Sequence, residues 1–203
     1  QKIKFPYTVG YGMTECAPLI SFTPADQFKA KSAGAIIPQM EAKVMDADPN
    51  TGIGEICVRG ENLMNGYFKN QEATDSIIDD EGWLHTGDLG MIEADGTIFI
   101  RGRSKSMILG PSGQNIYPEE IEAKLNNMPF VMESLVVENN GRLHALVYPD
   151  YEAVDLEKLD QKQLEKVMEE NRTALNSIVA SYESIAKIHL YPNEFEKTPK
   201  KSI

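Results

Sequence analysis

The chain is poor in the residues that would mark a secreted, metal-stapled or membrane-spanning protein. Two cysteines occur in 203 residues, Cys16 and Cys57. Neither falls in a paired Cys/His spacing, so a disulfide framework or zinc site has little support and a reducing, cytoplasmic compartment fits best. No apolar run approaches the roughly 18 residues of a spanning helix, and no basic-then-apolar signal pattern opens the chain. That predicts no transmembrane segment and leaves peripheral membrane contact of the intact protein open. Basic charge is also scarce: 20 Lys and Arg face 31 Asp and Glu, a net charge of -11. A phosphate-backbone binder needs a net basic face to release counterions, which argues against nucleic acid as a partner. The three histidines, His85, His144 and His189, fall near no cluster in sequence and read as structural imidazoles.

What is present suits a folded domain or two, with 41% hydrophobic and 25% charged residues. Acidic residues crowd the stretch 150–170, the pattern of a solvated helix face. The chain opens at Gln1 and stops at Lys200-Lys201-Ser202-Ile203, which reads as a segment of a longer polypeptide.

Up to about Gly102 the pattern is strand and loop. Glu41–Asp46 and Gly54–Arg59 alternate with period two between Gly-containing turns, and Met91-Ile92-Glu93, Asp95-Gly96 and Thr97–Arg101 make a hairpin. These predict a distorted sheet or barrel. Beyond Gly102, Pro118-Glu119-Glu120 opens a helix ending near Asn126 or Asn127, because Pro lacks the amide that would be orphaned and acids meet the positive end of the dipole. Glu133–Glu138, Asn139-Asn140-Gly141 and Leu143–Tyr148 read as a second hairpin. A helical pattern follows from Leu156 to Ala180, with a break near Asn171, and Ile185–Tyr191 alternates as a last strand. The fold class is therefore α+β, with a boundary at 102–106.

Three polar elements stand out between these stretches. Tyr11-Gly12-Met13-Thr14-Glu15 offers a flat ring, a hydroxyl donor and a hard oxygen ligand within one loop, although a turn with a helix cap would look the same. Thr86-Gly87-Asp88 follows Gly82-Trp83 and displays a carboxylate on a turn, where such a group often bonds only its own backbone. Gly102-Arg103-Ser104-Lys105 is a basic cluster after a strand, ordinarily a solvated loop. A Gly-rich loop, Gly110–Asn115, enters the helix at Pro118. Cys16 reads as a small packing residue and the nine methionines as core filler.

Taken in order, these elements resemble the back half of the adenylate-forming superfamily, which holds acyl-CoA synthetases, peptide-synthetase adenylation domains and luciferases. The segment 61–70 with Ile116–Glu120 looks most like bacterial long-chain fatty-acid CoA ligases. The resemblance implies that residues 1–104 close a large N-terminal domain as its β-rich subdomain and that 105–203 form a mobile C-terminal α+β domain. It implies that Tyr11 stacks on adenine beside Gly12, Thr14 contacts the α-phosphate, Glu15 binds Mg²⁺, and Asp88 and Arg103 meet the ribose. Lys105 would be the hinge and Gly113 would approach coenzyme A. The tail resembles the family's closing lysine loop but places Ser202 at the usual lysine position, so Lys201 or Lys200 would serve. The implied activity is that of an acid-thiol ligase, with ATP, a carboxylic acid such as a fatty acid, and coenzyme A as substrates. The alternatives are a peptide-synthetase-type adenylation domain and a nucleotide-binding module without catalysis. The Ser/Thr/Gly-rich phosphate loop lies upstream in the family, so this segment alone is expected to be inactive.

Overall fold

The computed structural model describes residues 7–197. The chain divides into two compact units, Gln1–Lys105 and Ser106–Ile203.

The first unit is built on seven strands: β1 (Val9–Gly12), β2 (Leu19–Thr23), β3 (Gly34–Ile36), β4 (Met40–Met45), β5 (Gly54–Gly60), β6 (Leu84–Ile92) and β7 (Thr97–Arg103). They pair antiparallel in the order β1-β2-β3-β7-β6-β5-β4. Of the two forms expected, this is the open sheet, with β1 and β4 as edges. Period-two alternation drives it: Ile56 and Val58 of β5 are fully buried with Leu84 and Ile98, and Ile20 joins them from β2. The hairpin at Asp95-Gly96 forms because Gly96 takes φ 80°, while the Asp95 carboxylate accepts from the Thr97 amide at 3.1 Å. A short helix, α1 (Gln71–Asp75), sits between β5 and β6, capped by Asn70. On the sheet face away from that core, Lys43 and Arg59 both reach the Trp83 ring, their charged groups 4.2 and 4.5 Å from its centroid.

The second unit is α+β. A small ribbon of β8 (Ile108–Leu109) and β9 (Asn115–Ile116) precedes α2 (Pro118–Leu125), with Pro118 in the first turn as expected. β10 (Val131–Asn139) and β11 (Arg142–Pro149) form the second hairpin. Its two-residue loop, Asn140-Gly141, has φ of 53° and 75°, the left-handed pair that a tight hairpin demands. After α3 (Tyr151–Leu156) and α4 (Gln161–Asn176), β12 (Ile185–Leu190) joins β11 in parallel. The helical pattern breaks at 157–160 rather than near Asn171. Asp160 and Gln163 form a capping box that starts α4 afresh. Asn171 stays inside the helix because its buried amide donates to the Pro129 carbonyl at 2.8 Å. Ile121 and Leu125 of α2, Leu175 of α4, Ala145 and Val147 of β11 and Ile185 of β12 are fully buried in one core.

Candidate functional site

In the first unit, β1 and the single turn of 3-10 helix Thr14–Cys16 carry one group of expected residues, and β6 and β7 carry the other. Asp88 is not displayed on a turn. It lies within β6, where Leu84, Thr86 and Asp88 alternate inward, and it is only 6% exposed. The bend is nonetheless local, for Gly87 takes φ 70° inside the strand. β7 also runs on to Arg103, so Arg103 is a strand residue opposite Asp88 and not a loop cation.

That register brings three expected residues together. The Tyr11 hydroxyl donates to Asp88 Oδ2 at 2.6 Å, and Arg103 Nε lies 2.8 Å from Asp88 Oδ1. Both contacts are charge-assisted, the stronger class of hydrogen bond. Burial first, then the Asp88 charge, pushes the Tyr11 phenol far above its usual range, so it remains a donor. Thr86 Oγ1 donates to the Ile56 carbonyl and accepts from the Asp88 amide, fixing the bend from within.

Glu15 is held apart from this trio by a different set of contacts. Its Oε1 accepts from the Tyr67 hydroxyl at 2.9 Å, and its carbonyl accepts from the Met64 amide. Its Oε2 is buried with no hydrogen-bond partner among the described residues. A buried carboxylate oxygen left in that state fits a hard cation such as Mg²⁺, which takes oxygen ligands. Asn62 clamps the same loop by donating to the Cys16 and Leu19 carbonyls at 2.6 and 2.8 Å. Neither Tyr67 nor Asn62 was singled out in sequence; the Asn65-Gly66-Tyr67 turn, with Gly66 at φ 136°, is the signal that could have flagged the first.

Thr14 is exposed at the head of the 3-10 turn. Gly12 has a local reason to be glycine, since a Cβ there would stand 1.9 Å from the Pro18 carbonyl oxygen. Lys105 is exposed at the end of the first unit, and Gly113 sits in the second unit with φ 83° and open space around it. Lys200 and Lys201 lie outside the described residues. Burial, with the Glu15 charge, pushes the Cys16 thiol up to about 11, which agrees with a packing residue.

Two histidine readings need correcting. His144 and His189 face each other across β11 and β12, Nδ1 to Nε2 at 2.9 Å with rings stacked 5.2 Å apart. His85 also has neighbours: Cys57 lies directly opposite it on β5, and Glu55 stands on the same face. Sequence spacing missed both groups because cross-strand pairing, not chain proximity, assembles them.

An AMP-binding enzyme family model matches residues 2–68. A long-chain-fatty-acid–CoA ligase of Salmonella typhimurium is 49% identical over 118 residues, covering 56% of this chain and 21% of the relative. The solved O-succinylbenzoate coenzyme A synthetase of Bacillus subtilis, in complex with AMP, superposes with a TM-score of 0.76 at 28% identity, covering 98% of this chain and 40% of that one. In sequence and in fold the chain is similar to the adenylate-forming enzyme family. Within that family it is also similar to 4-coumarate-CoA ligase 2 of Narcissus pseudonarcissus, 42% identical over 146 residues, 66% of this chain and 25% of the relative. It therefore spans about a fifth to a quarter of the length of these curated relatives, and it matches the C-terminal portion of the adenylate-forming fold. No helix among the described residues is long and apolar enough to cross a membrane.

Proposed function

We propose that the polypeptide carrying this chain is an AMP-forming acid-thiol ligase. It activates a carboxylic acid with ATP as the acyl-adenylate, releases pyrophosphate, and passes the acyl group to coenzyme A. The observation that carries this reading is the buried Asp88 carboxylate gripped by Tyr11 and Arg103, on a chain whose relatives are CoA ligases. A buried carboxylate with fixed orientation suits two vicinal hydroxyls, as in other nucleotide sites. Asp88 would accept from the ribose, Arg103 would border it, and the Tyr11 ring beside Gly12 would stack on adenine. Thr14 would donate to the α-phosphate. Glu15 would hold Mg²⁺, which when bound neutralises phosphate charge. Tyr67 would then keep the Glu15 carboxylate turned toward that ion.

Lys105 would be the pivot between residues 1–104 and a mobile domain 105–203, and Gly113 would let backbone approach the coenzyme. A terminal lysine, Lys201 or Lys200, would meet the developing charge on the carboxylate and α-phosphate. A cytoplasmic location fits the reaction's substrates.

The acid is a fatty acid in the long-chain-fatty-acid–CoA ligases and 4-coumarate in the plant relatives, by their names. We favour a fatty acid, because two long-chain-fatty-acid–CoA ligases are 49% and 46% identical to the chain where a 4-coumarate-CoA ligase is 42% identical. Carboxylate-dependent ATP–pyrophosphate exchange by the full-length polypeptide, over fatty acids, hydroxycinnamates and amino acids, tests the reading. Exchange with fatty acids and thioester formation on adding coenzyme A is expected. Exchange with amino acids alone would move the chain to the peptide-synthetase class, and bound nucleotide without exchange would leave a non-catalytic module.

A further inference from the structure

The first unit holds a group of metal-ligand side chains remote in chemistry from the nucleotide residues. Glu55 and Cys57 are two apart on β5, so both project from one face of the sheet. His85 of β6 lies directly across from Cys57. The ligand atoms of all three fall within 4.8 Å of one another. His85 Nδ1 is 2.8 Å from Glu55 Oε2 and 3.6 Å from Cys57 Sγ.

One ring nitrogen serves both neighbours poorly. With a proton it donates to the carboxylate and faces the thiol with nothing to accept; without one it turns a lone pair toward the carboxylate's own. A cation at the centre of the three satisfies all of them. At ordinary zinc bond lengths, the nitrogen-to-sulfur edge of a tetrahedron is about 3.5 Å and the nitrogen-to-oxygen edge about 3.3 Å. The first edge is already present, and the second needs the Glu55 carboxylate to swing outward by about half an ångström.

The far side of the imidazole is equally suited. His85 Nε2 faces Asp79 Oδ2 at 3.8 Å. Asp79 is held in place by the Trp83 and Glu81 amides, which donate to its Oδ1 at 2.8 and 3.0 Å. A carboxylate behind the ligating histidine is the usual outer partner of such a ligand. Glu55 and His85 line a solvent-open hollow of about 290 Å³ with Asp75 and Asp79, which provides an entry path, while Cys57 is fully buried behind them. Lys43, paired with Cys57 from β4, turns its ammonium over the Trp83 ring and toward Glu81, 3.9 Å away.

We propose that Glu55, Cys57 and His85 bind one thiophilic divalent cation of the zinc class, with solvent in the fourth position and Asp79 as the outer partner of His85. Binding displaces the thiol proton, and the proton on Nδ1 where present, to solvent. The resulting thiolate and carboxylate balance the two positive charges. Thiolate and imidazole select such an ion over Mg²⁺, which prefers an all-oxygen shell. The remaining Glu55 oxygen keeps its contact with the Gly87 amide at 3.0 Å, so the ion would be tied to the bend that precedes Asp88.

Cobalt titration of the metal-stripped, full-length polypeptide tests this directly. One equivalent of Co²⁺ should give a thiolate-to-metal charge-transfer band that Zn²⁺ abolishes and excess Mg²⁺ leaves unchanged. Cys57→Ser should remove the band, His85→Gln should weaken Co²⁺ binding by about tenfold or more, and Cys16→Ala should leave the band intact. Absence of the band in the wild-type protein overturns the proposal whatever the variants do, and so does a band that survives Cys57→Ser or is lost with Cys16→Ala. If Cys57→Ser fails to fold, Zn²⁺-induced thermal stabilisation compared between wild type and His85→Gln decides. An equal rise in both overturns the site.

Discussion

The contact between Tyr11 and Asp88 can be isolated by a double-mutant cycle. Tyr11→Phe deletes the hydroxyl that donates at 2.6 Å and leaves the ring. A hydrogen bond to a charged group contributes about 1.5–3 kcal/mol to stability. Asp88 is only 6% exposed, so water cannot readily replace the lost donor. Arg103 retains its hold at 2.8 Å on the other oxygen, which limits the damage, and we expect a loss of about 2 kcal/mol. Asp88→Asn keeps one acceptor oxygen but removes the charge, and the double variant should fall short of the sum of the singles by about 1–2 kcal/mol. Amide hydrogen exchange of peptides covering β1 and β6 reads the opening free energy where the contact lies. Additivity within about 0.5 kcal/mol would mean that Tyr11 and Asp88 do not interact in solution, and the assembly of the site by this pair would be refuted. Under the proposed function, Tyr11→Phe should weaken nucleotide binding less than Tyr11→Ala, because the stacking ring survives.

Three further outcomes follow from local chemistry. Burial, ahead of repulsion from Glu119, holds the Glu122 carboxyl above its usual range despite the Val136 amide donating to it. The folded protein thus keeps that proton to higher pH than the unfolded chain, so Glu122's contribution to stability declines as pH rises from the ordinary carboxylate value through the raised one. Glu122→Gln keeps the acceptor for Val136 and should be more stable than wild type at pH 7 but not in acid, as thermal unfolding at both pH values would show. Gly12→Ala should distort the first unit outright, since its Cβ meets the Pro18 carbonyl oxygen at 1.9 Å, whereas Gly113→Ala has free space and should cost only the backbone strain of φ 83°, about 1–2 kcal/mol; thermal unfolding separates the two. Leu125→Ala, in the core of the second unit, should destabilise that unit by about 2–5 kcal/mol in urea unfolding.

How far the sequence spoke depends on the range of the forces involved. Local chemistry was legible: Pro118 starts α2, Asn140-Gly141 turns the second hairpin, and Gly54–Arg59 forms the strand β5. What failed was anything decided across strands or by a single tertiary bond. Asp88 looked like a turn residue because Gly87 precedes it, yet pairing with β7 draws it into the sheet opposite Arg103. Asn171 looked like a helix breaker because its bond to Pro129 spans 42 residues. The motif residues Tyr11, Asp88 and Arg103 were found in sequence, but the bonds between them were not, since the 77 residues separating the first two leave no periodic trace.

Trp83, the chain's one tryptophan, is packed against two cations in the first unit and is only 9% exposed. Its emission is therefore an optical probe placed within that unit. Paired with circular dichroism, which sees both, it can tell whether the two units melt together or one after the other. The Trp83 backbone amide also holds Asp79, the carboxylate behind His85, so the same residue links the indole to the proposed cation site and lets an arriving ion be followed without any label being added.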